Sequence, residues 1–295
     1  PLFEVVGVES DAGSCVIRLA DGALELTAEY RFTLTPEGVL LVDASLTNVG
    51  DGVYTLDELA VWLPVPERAT ETLDFTGRWL RERQPQRLPF APGLRLRESR
   101  EGRSGHDYTI VQCALTAATG TESGEAWGLS LLWSGDSRHL AERDTTGRGA
   151  LGAGELIEPG EAELAPGATY RAPTVAAFYS DAGLDGISDR AHRWLRSRED
   201  HPSTPRPLTL NVWEAVYFDH NPDTLTRLAE RAASVGVERF VLDDGWFGSR
   251  RDDWSGLGDW VVSTEVWPDG LGPLVERVRA LGMQFGLWFE GEMVN

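Results

Sequence analysis

The hydrophobic pattern of this chain changes once, at a proline-rich stretch, and that change limits the folds open to it. Before residue 180, apolar and polar residues alternate in short runs separated by glycine- and proline-rich turns, as in antiparallel β-strands. Residues 201–207 contain three prolines, which end a helix because proline lacks an amide hydrogen and clashes with the preceding turn. The sequence therefore predicts two architectures with a boundary at this stretch.

The first part predicts a β-sandwich over residues 1–182. Residues 24–35 alternate between apolar and polar, the turn Thr35-Pro36-Glu37-Gly38 follows, and a second alternating run begins at Leu40, which together indicate an antiparallel hairpin. Similar short runs recur further along, at Cys15–Leu19, Thr109–Leu115, Trp127–Trp133 and Val175–Tyr179. Many short strands with turns between them are typical of sheet-on-sheet packing.

Residues 183–207 are predicted to be a linker that starts with a helix. Its apolar residues fall at helical spacing, at Leu184, Ile187, Ala191, Trp194 and Leu195. We assign Trp194 to packing rather than to ligand binding.

Residues 208–295 predict the first part of a (β/α)₈ TIM barrel. Strands are expected at Leu208–Trp213, Arg239–Leu242 and Gln284–Trp288, with helices at Asp223–Ala233 and Gly270–Leu281 between them. Alternating strands and helices favour a parallel sheet, and a complete barrel needs eight such units. Because three strands leave the barrel open, we expect the chain to be a fragment of a longer protein.

Composition excludes several classes of function. The formal net charge is −20, and all 27 basic residues are arginine, so lysine Schiff bases and phosphate-binding P-loop lysines are absent. An acidic chain without clustered arginine disfavours nucleic acid as a partner. We expect no membrane contact, because no apolar run is long enough to cross a bilayer, and a cytoplasmic location, because no signal peptide is visible.

Two further patterns could in principle indicate binding sites. The five histidines and two cysteines show no metal-ligand spacing, so no metal or cofactor is expected. Gly147-Arg148-Gly149-Ala150-Leu151-Gly152 matches G-x-G-x-x-G, but it lies in the β-rich part without a preceding parallel strand. We interpret this segment as a loop.

Carboxylates and aromatic residues occur together where each predicted barrel strand ends. In a parallel barrel the reacting groups lie at the carboxyl ends of the strands, so Asp243, Asp244, Trp213 and Trp288 are candidates. Carboxylates accept hydrogen bonds from sugar hydroxyls, and indole rings stack on the apolar face of a sugar ring. An acidic capping turn and ordinary core packing are the alternatives, although adjacent carboxylates repel each other and a plain turn would not need both.

These strand ends resemble the α-galactosidases of glycoside hydrolase family 36. The resemblance rests on four segments in order, at 211–218, 241–247, 257–260 and 286–294, which read NVWEAVYF, VLDDGWF, LGDW and GLWFEGEMV. Upstream, residues 74–83 (DFTGRWLRER) resemble a loop of the family's sandwich domain. The similarity covers nearly the whole chain.

The resemblance implies an N-terminal β-supersandwich, a (β/α)₈ barrel and retaining hydrolysis of terminal α-galactosides such as raffinose or melibiose. It implies that Asp243 and Asp244 accept hydrogen bonds from the galactose 4- and 6-hydroxyls, that Trp213 and Trp288 wall the pocket, and that Trp79 reaches over it. The nucleophile and the acid/base are expected downstream of Asn295, so no catalytic residue is assigned in this chain and the isolated fragment is expected to be inactive. The expected partners are an α-galactoside oligosaccharide and identical subunits, as in the tetramers of related enzymes.

Two residues depart from the family pattern: Gly291 stands where proline is usual, and Val212 where a small hydroxyl residue is common. Both concern loop geometry rather than the paired aspartates. Three other functions stay open, namely transfer as in raffinose synthase-like enzymes, action on α-N-acetylgalactosaminides, and galactose binding without catalysis. A structural fragment without any ligand is a further alternative.

Overall fold

The computed structural model describes residues 1–108 and 111–293. The chain forms two compact units, Pro1–His201 and Pro202–Asn295, and the division falls inside the proline-rich stretch. Residues 109 and 110 of the predicted strand Thr109–Leu115, and Val294 of the last family-like segment, lie outside the described residues.

The first unit is built from antiparallel strands and one long helix. In chain order these elements are β1 Glu4–Ser10, β2 Ser14–Asp21, β3 Leu26–Leu34, β4 Leu40–Asn48, β5 Tyr54–Thr55, β6 Val61–Val65, β7 Glu71–Arg78, β8 Arg81–Pro89, β9 Gly93–Ser99, β10 Val111–Leu115, β11 Ala126–Leu131, β12 Ser137–Arg143, β13 Gly149–Glu155, β14 Glu163–Leu164, β15 Thr169–Arg171, β16 Val175–Ser180 and α1 Gly183–Ser197.

Two sheets of the first unit pack face to face. The larger runs in the order β1-β2-β3-β4-β16-β11-β10-β7-β8, with β15 beside β4, and the smaller in the order β6-β13-β12-β9. One apolar cluster draws Val42 and Leu129 from the larger sheet and Val61 and Leu151 from the smaller, all nearly inaccessible to water. Burial of that apolar surface holds the layers together, and the predicted β-sandwich is confirmed.

The hairpin predicted from strict alternation is present. Strands β3 and β4 pair in register from Leu26↔Asn48 to Leu34↔Leu40, and Val42, Ala44 and Leu46 are buried on one face. The turn between them places Gly38 at φ 83°, a left-handed conformation that favours glycine. The turn residue at this position was therefore readable from the sequence.

Gly38→Ala should lower the free energy of unfolding by about 1–2 kcal/mol, because a Cβ is strained at positive φ. The Arg190 side chain, 3.3 Å from the position of that Cβ, can move aside. Urea denaturation measures the change. Gly52→Ala is the matched control, since Gly52 has open space around it and no positive φ. Equal losses in both variants would contradict this explanation.

Helix α1 packs on the sandwich and forms part of the first compact unit. Ile187 and Trp194 are buried against an apolar cluster that includes Leu115 and Phe178 from strands β10 and β16. Trp194 therefore serves packing, as expected. Leu195, predicted on the same face, is 47% exposed, because it lies about 100° around the helix from its neighbour Trp194.

The loop interpretation of the G-x-G-x-x-G segment is wrong from Gly149 onwards. Strand β13 begins at Gly149 and pairs with both β12 and β6. A Cβ at Gly152 would lie 2.8 Å from the Trp62 ring, so this glycine lets an indole pack flat on the strand. The glycines of this segment that lie in β13 therefore reflect close packing between neighbouring strands.

The second unit contains a three-stranded parallel sheet. Its elements are β17 Thr209–Asn211, α2 Trp213–Val216, α3 Pro222–Ser234, β18 Arg239–Leu242, α4 Gly272–Ala280 and β19 Gln284–Leu287. The strands lie in the order β17-β18-β19, and both pairs are parallel. Parallel β/α units following an antiparallel sandwich confirm the predicted fold class.

Helices α3 and α4 contribute to one apolar core with the sheet. Leu225 of α3, Phe240 and Leu242 of β18, and Val278 of α4 are fully buried in the same cluster. Helix α3 starts where Asn221 accepts a hydrogen bond from the Thr224 amide and Pro222 follows, both favourable at a helix N-terminus.

The first and third barrel strands end earlier than predicted. The Asn211 side-chain oxygen accepts a hydrogen bond from the Trp213 amide at 2.8 Å, which turns the chain from β17 into helix α2. Trp213 therefore opens a short helix, and Trp288 follows β19 directly. Apolar residues just past a strand resemble strand residues in sequence, so the pattern overestimated both lengths.

Candidate functional site

A cleft opens at the carboxyl ends of the parallel strands. Its lining residues are Asn211, Trp213, Glu214, Asp243, Asp244 and Trp288, and its volume is about 490 Å³. That volume is within the range of small-molecule clefts. The structure therefore brings together four of the five residues selected from the sequence for substrate binding.

Asp243 follows β18 and is only 8% exposed. One carboxylate oxygen accepts a hydrogen bond from the Asn211 side-chain amide, and the other accepts the Asp244 backbone N–H at 2.7 Å. A carboxylate offers about four acceptor positions, so two such bonds leave Asp243 with capacity toward the cleft. Its orientation is fixed from two sides.

Asp244 is 6% exposed and is paired with Arg250. The Arg250 Nε lies 3.1 Å from both carboxylate oxygens, and its Nη2 lies 2.9 Å from Oδ2. A buried carboxylate needs such compensation, because removing a charge from water is unfavourable without a partner. The two adjacent aspartates are therefore accommodated by different means, a side-chain amide for one and a guanidinium for the other.

The two tryptophans flank these carboxylates and are half-buried. Trp213 meets the Phe218 ring edge-on, with centroids 5.0 Å apart. Trp288 is fixed through its backbone, which donates to the Leu242 carbonyl at 3.0 Å and accepts from the Trp246 indole at 3.0 Å. Trp213 therefore packs against a neighbouring ring, Trp288 is anchored through its backbone, and both residues line the cleft.

The turn after the aspartates requires glycine. Gly245 has φ 103°, and a Cβ there would lie 3.1 Å from Phe218 Cδ1 and 3.5 Å from the His220 ring. Arg251 ties the same turn by donating to the Gly245 carbonyl at 3.0 Å. His220 is 4% exposed; burial, and next the positive charge of Arg251, lower the pKa of its imidazole to about 4.

Sequence reasoning missed Arg250, Asn211, Glu214 and His220. A signal for Arg250 was available, because paired buried carboxylates need a cation and the chain carries Arg250-Arg251 six residues after Asp244. Glu214 lines the cleft and accepts a hydrogen bond from the Tyr217 hydroxyl at 2.9 Å. Glu214 belongs to the first strand-end segment but was not selected from it, and no pattern marked His220 beforehand.

Trp79 lies in the first unit, at the tip of the β7–β8 hairpin, and is 75% exposed. It borders a second cleft of about 390 Å³ that is also lined by Gly77, Arg78 and residues of the segment 101–107. Its role in a sugar site stays a prediction.

Within residues 1–108 and 111–293, no group of three or more His, Cys, Asp or Glu residues is arranged to hold a metal ion. In the same part of the chain, no helix has the length and apolarity required to cross a bilayer.

Two family models match the chain, one after the other. The glycosyl hydrolase family 36 N-terminal domain matches residues 3–165, more than half of the chain, and the melibiase model matches residues 169–295. The chain belongs to glycosyl hydrolase family 36. The resemblance read from the strand-end segments is thus confirmed.

Relatives in family 36 agree over nearly the full chain. An α-galactosidase from Escherichia coli is 40% identical over 297 residues, covering 100% of this chain and 42% of the relative. The crystal structure of a single-substitution variant of the family 36 α-galactosidase AgaA from Geobacillus stearothermophilus, in complex with 1-deoxygalactonojirimycin, matches with a TM-score of 0.88 and 34% identity, covering 96% of this chain and 40% of that one. A variant of AgaA in complex with raffinose matches with a TM-score of 0.89 and 32% identity, covering 100% and 42%. The chain thus spans about two-fifths of the length of these relatives.

Proposed function

We propose that the protein is a retaining exo-α-galactosidase that hydrolyses terminal α-D-galactosides of oligosaccharides such as raffinose or melibiose, and that this chain supplies the galactose-recognition part of its active site. The observation that carries the proposal is the pair of buried carboxylates at the end of β18, placed between two half-exposed tryptophans in one cleft. The relatives described as α-galactosidases, one of them in complex with raffinose, support it.

The proposed recognition follows from hydrogen-bond chemistry. Asp243 and Asp244 are hydrogen-bond acceptors. Asn211 and Arg250 already donate to some of their acceptor positions, and the remaining positions suit the galactose 4- and 6-hydroxyls. The 4-hydroxyl is axial in galactose and equatorial in glucose. A site that pairs this hydroxyl disfavours the epimer, because buried carboxylate oxygens would then lose their partner. Trp213 and Trp288 would stack on the apolar C–H faces of the sugar.

Asp243 and Asp244 suit recognition better than bond cleavage. Retaining hydrolysis needs one carboxylate free to attack the anomeric carbon and a second free to donate and then accept a proton. Asp244 is engaged by Arg250, and Asp243 by Asn211 and by a backbone amide. We therefore place the nucleophile and the acid/base on later barrel strands, downstream of Asn295, and expect residues 1–295 to be inactive alone.

The test uses the natural full-length protein with p-nitrophenyl α-D-galactoside and, as controls, the α-D-glucoside and the β-D-galactoside. We expect turnover of the α-galactoside only, with α-galactose as the first product seen by NMR. Transfer of galactose to an added acceptor sugar in place of water would favour a synthase-like enzyme. Preference for the α-N-acetylgalactosaminide would reassign the substrate, and galactose binding without turnover would overturn the enzymatic proposal.

A further inference from the structure

A guanidinium group lies directly behind Asp244. Arg250 is 5% exposed, and its Nε and Nη2 meet the Asp244 carboxylate while its Nη1 donates to the Ser255 carbonyl at 3.1 Å. Hydrogen bonding to Asp244 raises the pKa of Arg250 above its ordinary value. Since the guanidinium is planar and its donors are fixed relative to one another, it restricts both the position and the rotation of the carboxylate.

Arg250 also contacts the aromatic side of the cleft. Its guanidinium carbon lies 5.4 Å from the centre of the Phe218 ring, and Phe218 in turn supports Trp213 edge-on. Arg250 therefore contacts the cleft carboxylate of Asp244 directly. It is also linked to the cleft residue Trp213 through one intervening ring, that of Phe218. An ion pair on the exposed surface would have neither the shielding from water nor the contact with an aromatic ring that hold Arg250 in place.

We propose that Arg250 is a positioning residue for sugar recognition, which aims the free acceptor positions of Asp244 at a galactose hydroxyl and compensates its charge beside Asp243. The inference rests on the proposed function, and it assigns to Arg250 a part in substrate selectivity beyond holding the fold. Without the guanidinium, Asp244 can rotate and is repelled by its neighbour Asp243, so the hydroxyl loses a directed acceptor.

The experiment compares Arg250→Gln with the unchanged full-length protein on p-nitrophenyl α-D-galactoside and on its 4-deoxy and 6-deoxy analogues. We expect kcat/KM on the galactoside to fall by about 10- to 100-fold, the worth of one hydrogen bond to a charged group. On the analogue that lacks the hydroxyl accepted by Asp244, the fall should be several-fold smaller. Equal falls on all three substrates would show a merely structural role and overturn the inference.

Two further variants complete the design. Arg250→Lys keeps the charge but not the paired donors, so its kcat/KM on the galactoside should fall less than that of Arg250→Gln. If Arg250→Gln does not fold, the falls of Arg250→Lys on the galactoside and on the two deoxy analogues are compared in the same way. Arg277→Gln is the matched control, because Arg277 forms an exposed ion pair with Glu230. This variant should leave kcat/KM unchanged on all three substrates. No turnover by the unchanged protein would instead refute the proposed function, so the two failures are distinguishable.

Discussion

Asp243→Asn should reduce kcat/KM of the full-length protein for α-galactosides by about 100-fold, or about 3 kcal/mol of transition-state stabilisation. The substitution keeps the shape of the side chain but replaces one acceptor oxygen with an NH₂ donor, which cannot accept from a sugar hydroxyl. Both Asp243 oxygens already accept hydrogen bonds, from the Asn211 amide and the Asp244 N–H, so the new NH₂ leaves one of these donors without an acceptor and should also lower the free energy of unfolding by about 1–3 kcal/mol. Initial rates over a range of substrate concentrations, together with thermal unfolding, measure both quantities.

Asp269→Asn is the control for the charge change, since Asp269 is exposed on the same unit and lies outside the cleft lining. Its kcat/KM should stay within about twofold of the value for the unchanged protein, as expected for a surface substitution. Asp244→Asn should match Asp243→Asn in lost activity and should lower stability by more, because it removes the charged partner of a buried guanidinium. Unchanged kinetics in both variants would exclude the two aspartates from the site.

Arg250→Gln should lower the free energy of unfolding by about 3–5 kcal/mol, the range for a buried ion pair that loses one member. Both side chains are shielded, at 6% and 8% exposure, so water cannot replace the lost partner of Asp244. Equilibrium denaturation of the full-length protein, followed by tryptophan fluorescence because tryptophans surround the cleft, measures the loss.

The double variant Asp244→Asn/Arg250→Gln separates an uncompensated charge from lost packing. Removing both charges should recover much of the stability lost in Arg250→Gln, since neutral amides can hydrogen-bond to each other. The exposed control Arg277→Gln should change the unfolding free energy by less than about 1 kcal/mol. If the double variant is as unstable as the sum of the single variants, packing rather than charge explains the pair.

Local patterns predicted much of the fold. The hairpin around Gly38, the helix that carries Ile187 and Trp194, and the parallel strand Arg239–Leu242 were all readable, because periodicity and turn residues act over a few neighbouring positions. Where two local signals overlapped, the prediction went wrong: Trp213 extended an apolar run although the Asn211 side chain begins a helix there. Gly149 looked like part of a loop because its packing partners, Val65 and Phe90, are distant in sequence.

The sequence by itself determined which strand ends carry Asp243, Asp244, Trp213 and Trp288, because the carboxyl ends of parallel strands meet at one edge whatever the connecting loops do. Only the tertiary structure decided how two adjacent carboxylates are tolerated there. That answer depends on the loop after Gly245, which folds back to bury Arg250 against Asp244, and on Asn211, which reaches Asp243 from the neighbouring strand. The Asn211–Asp243 contact joins segments that are separate in sequence, so it arises from packing and no local pattern encodes it.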